Sequence, residues 1–350
     1  MTGVPRYATE ICFALKKLGL NIVILAPREA ANNPVSSELN PFFIGTKRGM
    51  RWEQTELPKY LKRQGSPLLL NLGNTAPVLY KNQILTIHDM AFMENPKWFS
   101  LRSRYVLTWC VRLTAKKSRF IATSSEFSRQ EIHKFTRKSL SKIHVIYPAA
   151  SPMEASEKSS KFSHFIQKPY LLTVCSMNPR KNLLNLLRAY DKLSSKDKHP
   201  LVLVGEKANA FASVKDVQVL MQKLKVIHIP RVTDKELALL YSRAKALVYP
   251  SLYEGFGLPP LEAMNFGCLP VVSDIPPHRE VCGAAALYFD PKNVSDIAQK
   301  IEAGLKMALD HSEAEKRLGL FAWEQSASKL EKLILKVQTA EHEEAPLAHT

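Results

Sequence analysis

Two short segments of the chain combine charged side chains with the signals of a helix beginning. The first, SMNPRKN at 176–182, follows an apolar run and places Arg180 and Lys181 directly after Pro179. Proline favours the first turn of a helix. Two cations there oppose the helix dipole, at a cost of a few tenths to ~1 kcal/mol, unless an anion such as pyrophosphate is bound. Arg180 and Lys181 are therefore candidate pyrophosphate ligands, or else both side chains simply point into water.

The second segment, PSLYEGFGLPPLEAM at 250–264, is a glycine-containing loop followed by two prolines. Gly255 and Gly257 allow backbone N–H groups to approach a ligand closely. The prolines indicate a helix whose N-terminus attracts phosphate, and Glu262 is expected in the first turn of that helix. Its carboxylate can accept two hydrogen bonds from a vicinal diol such as ribose, or it can merely complement the helix dipole.

Eleven apolar runs alternate with helical patterns along nearly the whole chain. Most of them are continuously apolar, as expected for parallel strands that are buried on both faces. Strand alternating with helix predicts an α/β chain with two Rossmann-like, doubly wound domains. The predicted strands are 21–25, 67–72, 83–88, 119–123 and 142–147 in the first half, and 169–175, 200–204, 225–229, 245–249, 269–273 and 285–289 in the second.

A Ser- and Lys-rich stretch without periodicity divides the chain at 151–168. A crevice between two such domains is a favourable place for a ligand, because strand carboxyl ends face it. The helical pattern at 7–18 has no strand before it, so we expect the first strand to be missing through truncation or a misplaced start. The predicted segments are an N-terminal domain 1–150, the linker 151–168, a C-terminal domain 169–322, a helix 323–338 and a disordered acidic tail 339–350.

The formal net charge of +17 is concentrated in the first half of the chain. Residues 1–150 contain 23 Lys and Arg against 9 Asp and Glu, whereas residues 151–350 contain 26 against 23. A basic half can bind nucleic acid, an anionic membrane or an acidic substrate, or nothing specific. A nucleic-acid-binding protein is the alternative class, but no RNP-like motif or zinc-finger spacing supports it. Five scattered cysteines suit a reducing compartment.

The segment 101–120, LRSRYVLTWCVRLTAKKSRF, mixes basic residues with Tyr105 and Trp109. Such a helix could rest on anionic lipid. It could equally be an ordinary packed helix with basic flanks. No apolar stretch of the sequence approaches the ~20 residues that a membrane span needs.

The chain resembles the family 4 retaining glycosyltransferases of the GT-B fold. Their hallmark is two glutamates separated by seven residues, and Glu254 and Glu262 have this spacing. The sequences around 179–183, 250–272 and 280–291 follow the family pattern almost without a break. Looser matches lie at GVPRY (3–7), HD (88–89) and SEFSR (125–129). The resemblance implies two Rossmann-like domains that face a central cleft.

The resemblance also implies roles for individual residues on the donor side. Arg180 and Lys181 would hold the donor pyrophosphate, and Glu262 would bind the ribose diol. Glu254 would lie beside the donor sugar. The backbone N–H groups that would contact sugar or phosphate are those of Phe256, Gly257 and Leu258.

Three further positions are implied at lower specificity. His88 would face the reacting sugar from the other domain, and with Asp89 it could form a general acid/base pair. A lone histidine in such a place is more often structural. Arg231 would lie where the family binds the base, and Gly3 would lie in the loop that approaches the phosphates.

The expected function is metal-independent transfer of a hexose from a nucleotide sugar, without a further cofactor, since no Asp-x-Asp motif occurs. The stretch 88–99 looks most like the mannosyltransferase branch, so GDP-mannose is the expected donor, with a UDP-hexose or dTDP-rhamnose as alternatives. The expected acceptor is a lipid-linked glycan, lipopolysaccharide or surface polysaccharide, reached from the cytoplasmic face of the membrane by a peripheral protein. An inactive, truncated relative remains a further alternative.

Overall fold

The computed structural model describes residues 3–32, 38–95, 98–150, 153–154, 162, 167–194, 199–206 and 213–344 of the 350-residue chain. The chain folds into two compact units. The first unit comprises Thr2–Pro148 and Ala322–Thr350, and the second unit comprises Ala149–Phe321. Most of the predicted linker, 151–152, 155–161 and 163–166, lies outside the described residues.

The first unit contains two parallel sheets. Strands β1 (Leu25–Pro27) and β2 (Phe42–Ile44) pair with each other, and four strands pair in chain order in the second sheet. These four are β3 (Leu69–Asn71), β4 (Gln83–Thr86), β5 (Phe120–Thr123) and β6 (Ile143–Val145). The helices are α1 (Gly3–Lys17), α2 (Gly49–Arg51), α3 (Leu57–Arg63), α4 (Ala91–Glu94), α5 (Leu101–Lys117) and α6 (Glu126–Thr136), with a π-helical segment Trp52–Glu56 between α2 and α3.

Two predictions for the first half were wrong in detail. The strand predicted at 21–25 overlaps β1 only at Leu25, and β2 was not predicted. Three residues after Pro41 are too short a run to show the period of a strand. The single N-terminal sheet expected from the alternation is also divided, because β1 and β2 pair apart from β3–β6 in the described residues.

The second unit is built on one parallel sheet of six strands, and every strand predicted for this half is present. They are β7 (Leu171–Val174), β8 (Leu201–Val204), β9 (Ile227–Ile229), β10 (Ala246–Tyr249), β11 (Leu269–Ser273) and β12 (Leu287–Phe289). Their spatial order is β12-β11-β10-β7-β8-β9. Counted from the β9 edge and numbered by their order in this unit's sequence, the strands lie in the order 3-2-1-4-5-6. This is the Rossmann order.

Helices cover this sheet, which explains the continuously apolar strands. Every residue of β8, β10 and β11 is buried. The helix that contains Gly304 lies so close to β11 that a Cβ added at Gly304 would be 2.8 Å from Val271 Cγ2. The helices are α7 (Leu183–Lys192), α8 (Ser213–Lys223), α9 (Asp234–Arg243), α10 (Leu258–Asn265), α11 (Pro276–Cys282), α12 (Val294–Lys306) and α13 (His311–Leu318).

The C-terminal helix α14 (Trp323–Glu344) packs on α1 within the first unit. The Tyr7 and Trp323 rings meet edge to face at 5.8 Å, and Lys17 Nζ lies 3.0 Å from Glu324 Oε1. The prediction of a disordered tail from residue 339 was wrong as far as Glu344, because Ala and Glu there are good helix formers and prolong α14. Residues 345–350 lie outside the described residues. Within the described part of the chain, no helix has the length and apolar character needed to cross a membrane.

Candidate functional site

The strand order reverses between β7 and β10, and the charged segments identified in the sequence follow these two strands. Lys181 comes after β7, and Glu254 comes after β10. Because parallel strands end at the same edge of a sheet, the two segments meet: the Leu252 N–H donates to the Arg180 carbonyl at 2.9 Å. Ligands of doubly wound sheets bind at such a reversal point.

The two cations are not in the first turn of an α-helix, as the sequence had predicted. Pro179, Arg180 and Lys181 form a separate 3-10 turn, capped by the Asn178 side chain, which accepts from the Arg180 N–H at 2.9 Å. Asn182 then adopts a left-handed conformation, with φ of 57°, and α7 begins only at Leu183. The cations are therefore displaced from the α7 dipole.

Lys181 has a protein partner instead. Its Nζ lies 2.5 Å from Glu254 Oε1 and donates to the Tyr249 hydroxyl at 2.8 Å. The Tyr249 hydroxyl in turn donates to Glu254 Oε1 at 3.0 Å. Burial alone would raise the pKa of Glu254, but the charges of Lys181 and Arg180 outweigh it and lower that pKa to about 2. Glu254 is therefore a buried carboxylate that stays ionised at neutral pH.

The loop after Glu254 leads into α10 through a glycine that other residues cannot easily replace. Gly257 has a φ of +113°, and Leu258 is the first residue of α10. The following Pro259 and Pro260 have no N–H, so Gly257 and Leu258 supply the donors at this helix end. In the described part of the chain their N–H groups donate to no residue. Phe256 is buried, with its ring 5.3 Å from that of Phe321.

Glu262 lies in the second turn of α10, one turn later than predicted, because the helix already begins at Leu258. The side chain is buried, and its Oε2 accepts a hydrogen bond from the Tyr241 hydroxyl at 2.9 Å. Tyr241 is itself buried and stacks on Phe266 with the ring planes 3° apart. Glu262 is thus oriented by a side chain of α9 and is not a simple complement to the helix dipole.

His278 of α11 is a further titratable group beside this loop, and it was not predicted. It is fully buried, and its Nδ1 lies 2.9 Å from the Ser273 carbonyl oxygen, which can only accept. Nδ1 therefore carries the proton, and Nε2 has no hydrogen-bond partner among the described residues. A Cβ added at Gly257 would lie 3.2 Å from His278 Cδ2. Burial lowers the pKa of His278 to about 4, so the ring is neutral at pH 7.

Arg231 follows the edge strand β9 and lies on the surface. Its Nε is 2.5 Å from Glu206 Oε1, in the loop after β8. Both side chains are more than half exposed, so the pair lies at the carboxyl edge of the same sheet without being buried. The structure gives Arg231 a carboxylate partner that the sequence did not indicate.

His88 of the first unit is buried at the end of β4. Its backbone carbonyl accepts hydrogen bonds from the Ser124 and Ser128 hydroxyls, at 2.8 and 3.0 Å. Its Nε2 donates to the Leu72 carbonyl at 3.0 Å, which leaves Nδ1 as the nitrogen with a lone pair. Burial lowers the pKa of His88, so the imidazole is neutral at pH 7.

Asp89 and Gly3 complete the predicted positions. Asp89 Oδ1 accepts from the Ala91 N–H at 3.0 Å, at the start of α4. Gly3 belongs to helix α1 in the described residues, whereas the sequence had predicted a loop. Helix α1 begins four residues before the predicted start because Pro5 is tolerated within its first turn.

The residues that sequence reasoning missed are Tyr249, Tyr241 and His278. Tyr249 and Tyr241 were read as apolar positions of a strand and a helix. The signals that could have identified Tyr249 as a site residue were its hydroxyl group and its position at the end of a strand. The described residues contain no group of three His, Cys, Asp or Glu side chains that could hold a metal ion.

Two cations and a buried carboxylate lie at the reversal point of a Rossmann sheet, which is the place where doubly wound α/β proteins bind their ligands. Residues 155–320 match the family described as "Glycosyl transferases group 1", and residues 1–152 match "Glycosyltransferase Family 4". The chain belongs to this glycosyltransferase family, which confirms the resemblance. It is a glycosyltransferase with the α/β architecture of the GT-B fold.

Two relatives match most of the length of the chain. It is 30% identical over 279 residues to the O-antigen chain mannosyltransferase RfbU of Salmonella typhimurium, covering 79% of this chain and 74% of that protein. It is 31% identical over 247 residues to the O-antigen chain mannosyltransferase B of Escherichia coli, covering 66% and 63%. The fold is similar to that of sucrose-phosphate synthase from Thermosynechococcus elongatus, with a TM-score of 0.74, 17% identity and 97% and 94% of the two chains covered.

Proposed function

We propose that the chain transfers mannose from a nucleotide sugar, with retained configuration, to a lipid-linked glycan or a surface polysaccharide such as O-antigen. Two relatives named as O-antigen chain mannosyltransferases support the sugar and the acceptor class. The observation that carries the proposal is the Lys181–Glu254 pair at the reversal point of the sheet. The pair places a positive and a negative side chain side by side, and charges of both signs develop on a nucleotide sugar when its glycosidic bond breaks.

Departure of a nucleoside diphosphate builds negative charge on the β-phosphate, while positive charge develops on the sugar ring. Arg180 and Lys181 are proposed to stabilise the phosphate, together with the N–H groups of Gly257 and Leu258. Glu254, with its pKa lowered to about 2, cannot serve as an acid at neutral pH. It is proposed to hold the donor sugar and to stabilise its positive charge, without a covalent intermediate.

Glu262 is proposed to bind the ribose diol of the donor. A carboxylate that accepts from two hydroxyl groups must be held in one rotamer, and the Tyr241 hydroxyl on Oε2 provides this support. Phe256 shapes the same loop from its buried position. Arg231 is proposed to lie near the base, and Gly3 near the phosphates.

His88 is proposed to face the reacting sugar from the first unit. Its tautomer supports this role, since Nε2 is fixed by the Leu72 carbonyl and Nδ1 carries a lone pair. A neutral imidazole can accept a proton or a hydrogen bond from a sugar hydroxyl. Asp89, next in sequence, raises the pKa of His88 against the larger effect of burial.

GDP-mannose is the proposed donor, and no divalent metal or other cofactor is proposed to be needed. A panel of GDP-mannose, UDP-hexoses and dTDP-rhamnose, with and without EDTA, tests this with lipid-linked acceptors. We expect turnover of GDP-mannose that is unchanged by EDTA, with the product retaining the anomeric configuration. Turnover of a different donor, or loss of activity with EDTA, would overturn the corresponding part.

The site assignment is tested with Lys181→Ala and Glu262→Ala. We expect each to lower kcat/KM by at least about 100-fold, as for loss of one charge-stabilising group. Lys192→Ala, on the exposed end of α7, is the matched control. Turnover that is untouched in both site variants would show that the donor binds elsewhere.

The acceptor is proposed to be met at the inner face of the cytoplasmic membrane, by a peripheral protein. The excess of basic residues in the first 150 positions supports contact with anionic lipid. No nucleic-acid partner is proposed.

A further inference from the structure

The first unit contains an open apolar cavity that the proposed reaction does not use. Its volume is about 580 Å³, within the range of roughly 300–1,000 Å³ for small-molecule pockets. Its apolar lining comes from Met50, Val78, Leu79, Tyr105, Val106 and Trp109.

The polar side chain in the wall, Gln54, is already satisfied by the protein. Its Nε2 donates to the Ala76 carbonyl and to Glu53 Oε1, at 2.8 and 2.7 Å, and its Oε1 accepts from the Val78 N–H at 2.9 Å. Both N–H groups of the amide are therefore used, and its oxygen already accepts one hydrogen bond. The chemistry of the cavity suits a hydrocarbon chain.

The rim of the cavity exposes large apolar side chains to solvent. Leu79 is 73% exposed, Tyr105 is 72% exposed and Trp109 is 61% exposed. Tyr105 and Trp109 lie one turn apart on the same face of α5. A contiguous exposed group of this kind marks an interaction surface, and Tyr and Trp favour the boundary between water and a lipid bilayer.

Cations flank these aromatic rings on the same face of α5. Arg102 precedes Tyr105 by three residues, Arg112 follows Trp109 by three, and α5 contains no acidic residue. The side chains of Arg102 and Arg112 make no salt bridge or hydrogen bond with any described residue. Free cations beside exposed aromatic rings are complementary to anionic headgroups above acyl chains.

We propose that the cavity takes one acyl chain of an anionic phospholipid in a bilayer, while Arg102 and Arg112 bind phosphates beside it. This inference rests on the proposed encounter with the membrane and specifies how it is made. The acyl chain fills the cavity between α5 and the segments that contain Met50 and Val78. The cations fix the depth of the helix at the headgroups.

The test measures binding of the full chain to vesicles, without any nucleotide sugar. Vesicles of phosphatidylcholine with phosphatidylglycerol in equal parts are compared with phosphatidylcholine alone. We expect binding only to the anionic vesicles, and a loss of about fivefold for Arg102→Ser or Arg112→Ser. Lys332→Ser, an exposed lysine of α14, is the matched control and leaves binding unchanged.

Entry of the acyl chain into the cavity is tested with phospholipids that carry bromine deep in that chain, because bromine quenches tryptophan fluorescence at short range. We expect quenching of the protein's fluorescence that disappears in Trp109→Phe. Val106→Phe narrows the cavity and should abolish deep quenching while binding through charge persists. Deep quenching that survives in Val106→Phe would overturn the inference. So would equal binding to both vesicle types, a dimer that forms without lipid and blocks binding, or binding of polyprenyl phosphate but not phospholipid.

The two proposals can fail separately. Transfer to a water-soluble acceptor glycan needs no vesicle and tests the transferase alone. Vesicle binding needs no donor and tests the cavity alone.

Discussion

Lys181 Nζ and Glu254 Oε1 lie 2.5 Å apart, although 73 positions of the chain separate the two residues. Each follows one of the two strands at which the sheet order reverses. The side chains are only 12% and 9% exposed, so the carboxylate is buried as an ion and depends on its partner. A residue proposed for donor binding is therefore also part of the folded core.

Replacing Lys181 with methionine should destabilise the second unit even without any ligand. The substitution keeps most of the length of the side chain but leaves the Glu254 carboxylate buried without its closest cation. Loss of one partner of a buried pair costs about 3–5 kcal/mol, and the nearby charge of Arg180 favours the lower end. Urea unfolding followed by circular dichroism measures the change.

The double variant Lys181→Met/Glu254→Gln separates this effect from general damage. With no buried charge left, it should recover most of the stability lost in Lys181→Met, yet it should remain inactive. If the losses of Lys181→Met and Glu254→Gln, each measured alone, simply add in the double variant, the pair does not contribute as a unit.

Removing the Tyr241 hydroxyl should weaken donor binding through Glu262. Tyr241→Phe keeps the ring stacked on Phe266 but leaves the buried Glu262 Oε2 without that donor. We expect a loss of about 1–3 kcal/mol in stability and about tenfold weaker binding of the nucleotide sugar, measured by calorimetry. Tyr190→Phe removes a similar buried hydroxyl, which donates to the His199 carbonyl. This control should lose stability but bind the donor normally, and equal donor binding in both variants would contradict the role of Glu262.

The sequence predicted the second unit well because its strands are buried on both faces. The run at 269–273 coincides with β11, and the other five strands differ from prediction by at most two residues at either end. The first unit was harder, since β1 and β2 have three residues each and only partial burial. Short, half-buried strands show too little alternation of apolar and polar residues to be recognised in the sequence. Their bounds depend on tertiary packing.

The site was predictable in its residue types but not in its pairings. Glu254, Glu262 and Lys181 stood out by spacing and by their place after strands. That Lys181 contacts Glu254, and that Tyr241 contacts Glu262, follows from the order of strands and the packing of α9 on α10. The sequence around His278 gave no signal, because the burial of the ring and the lack of a partner for Nε2 among the described residues arise only in the folded structure.

Gly257→Ala should perturb the loop in two ways that can be measured separately. The φ of +113° is strained for any side chain, and the new Cβ would lie 3.2 Å from His278 Cδ2. We expect a loss of about 1–3 kcal/mol in stability together with loss of turnover. Gly19→Ala is the matched control, since Gly19 also has a positive φ, of +84°, but has no atom within 4 Å of an added Cβ. If both variants lose stability equally, contact with His278 contributes nothing.

Acid should destabilise the second unit in two stages, and His278 should account for the first. In the unfolded chain His278 takes up a proton near pH 6.5, whereas in the folded chain burial lowers its pKa to about 4 despite the nearby Glu254 carboxylate. The contribution of His278 to the free energy of unfolding is therefore fully present above pH 6.5. It is lost as the pH falls towards 4, by up to about 3 kcal/mol. Glu254 adds a second loss between its ordinary pKa of 4.5 and about 2. Unfolding free energies measured from pH 8 to 4 should decline in the parent chain and decline less steeply in His278→Phe, which keeps the contribution of other buried histidines such as His88. His311→Asn, an exposed histidine of α13, should follow the parent chain. A decline in His278→Phe that is as steep as in the parent chain would assign the first stage to another group.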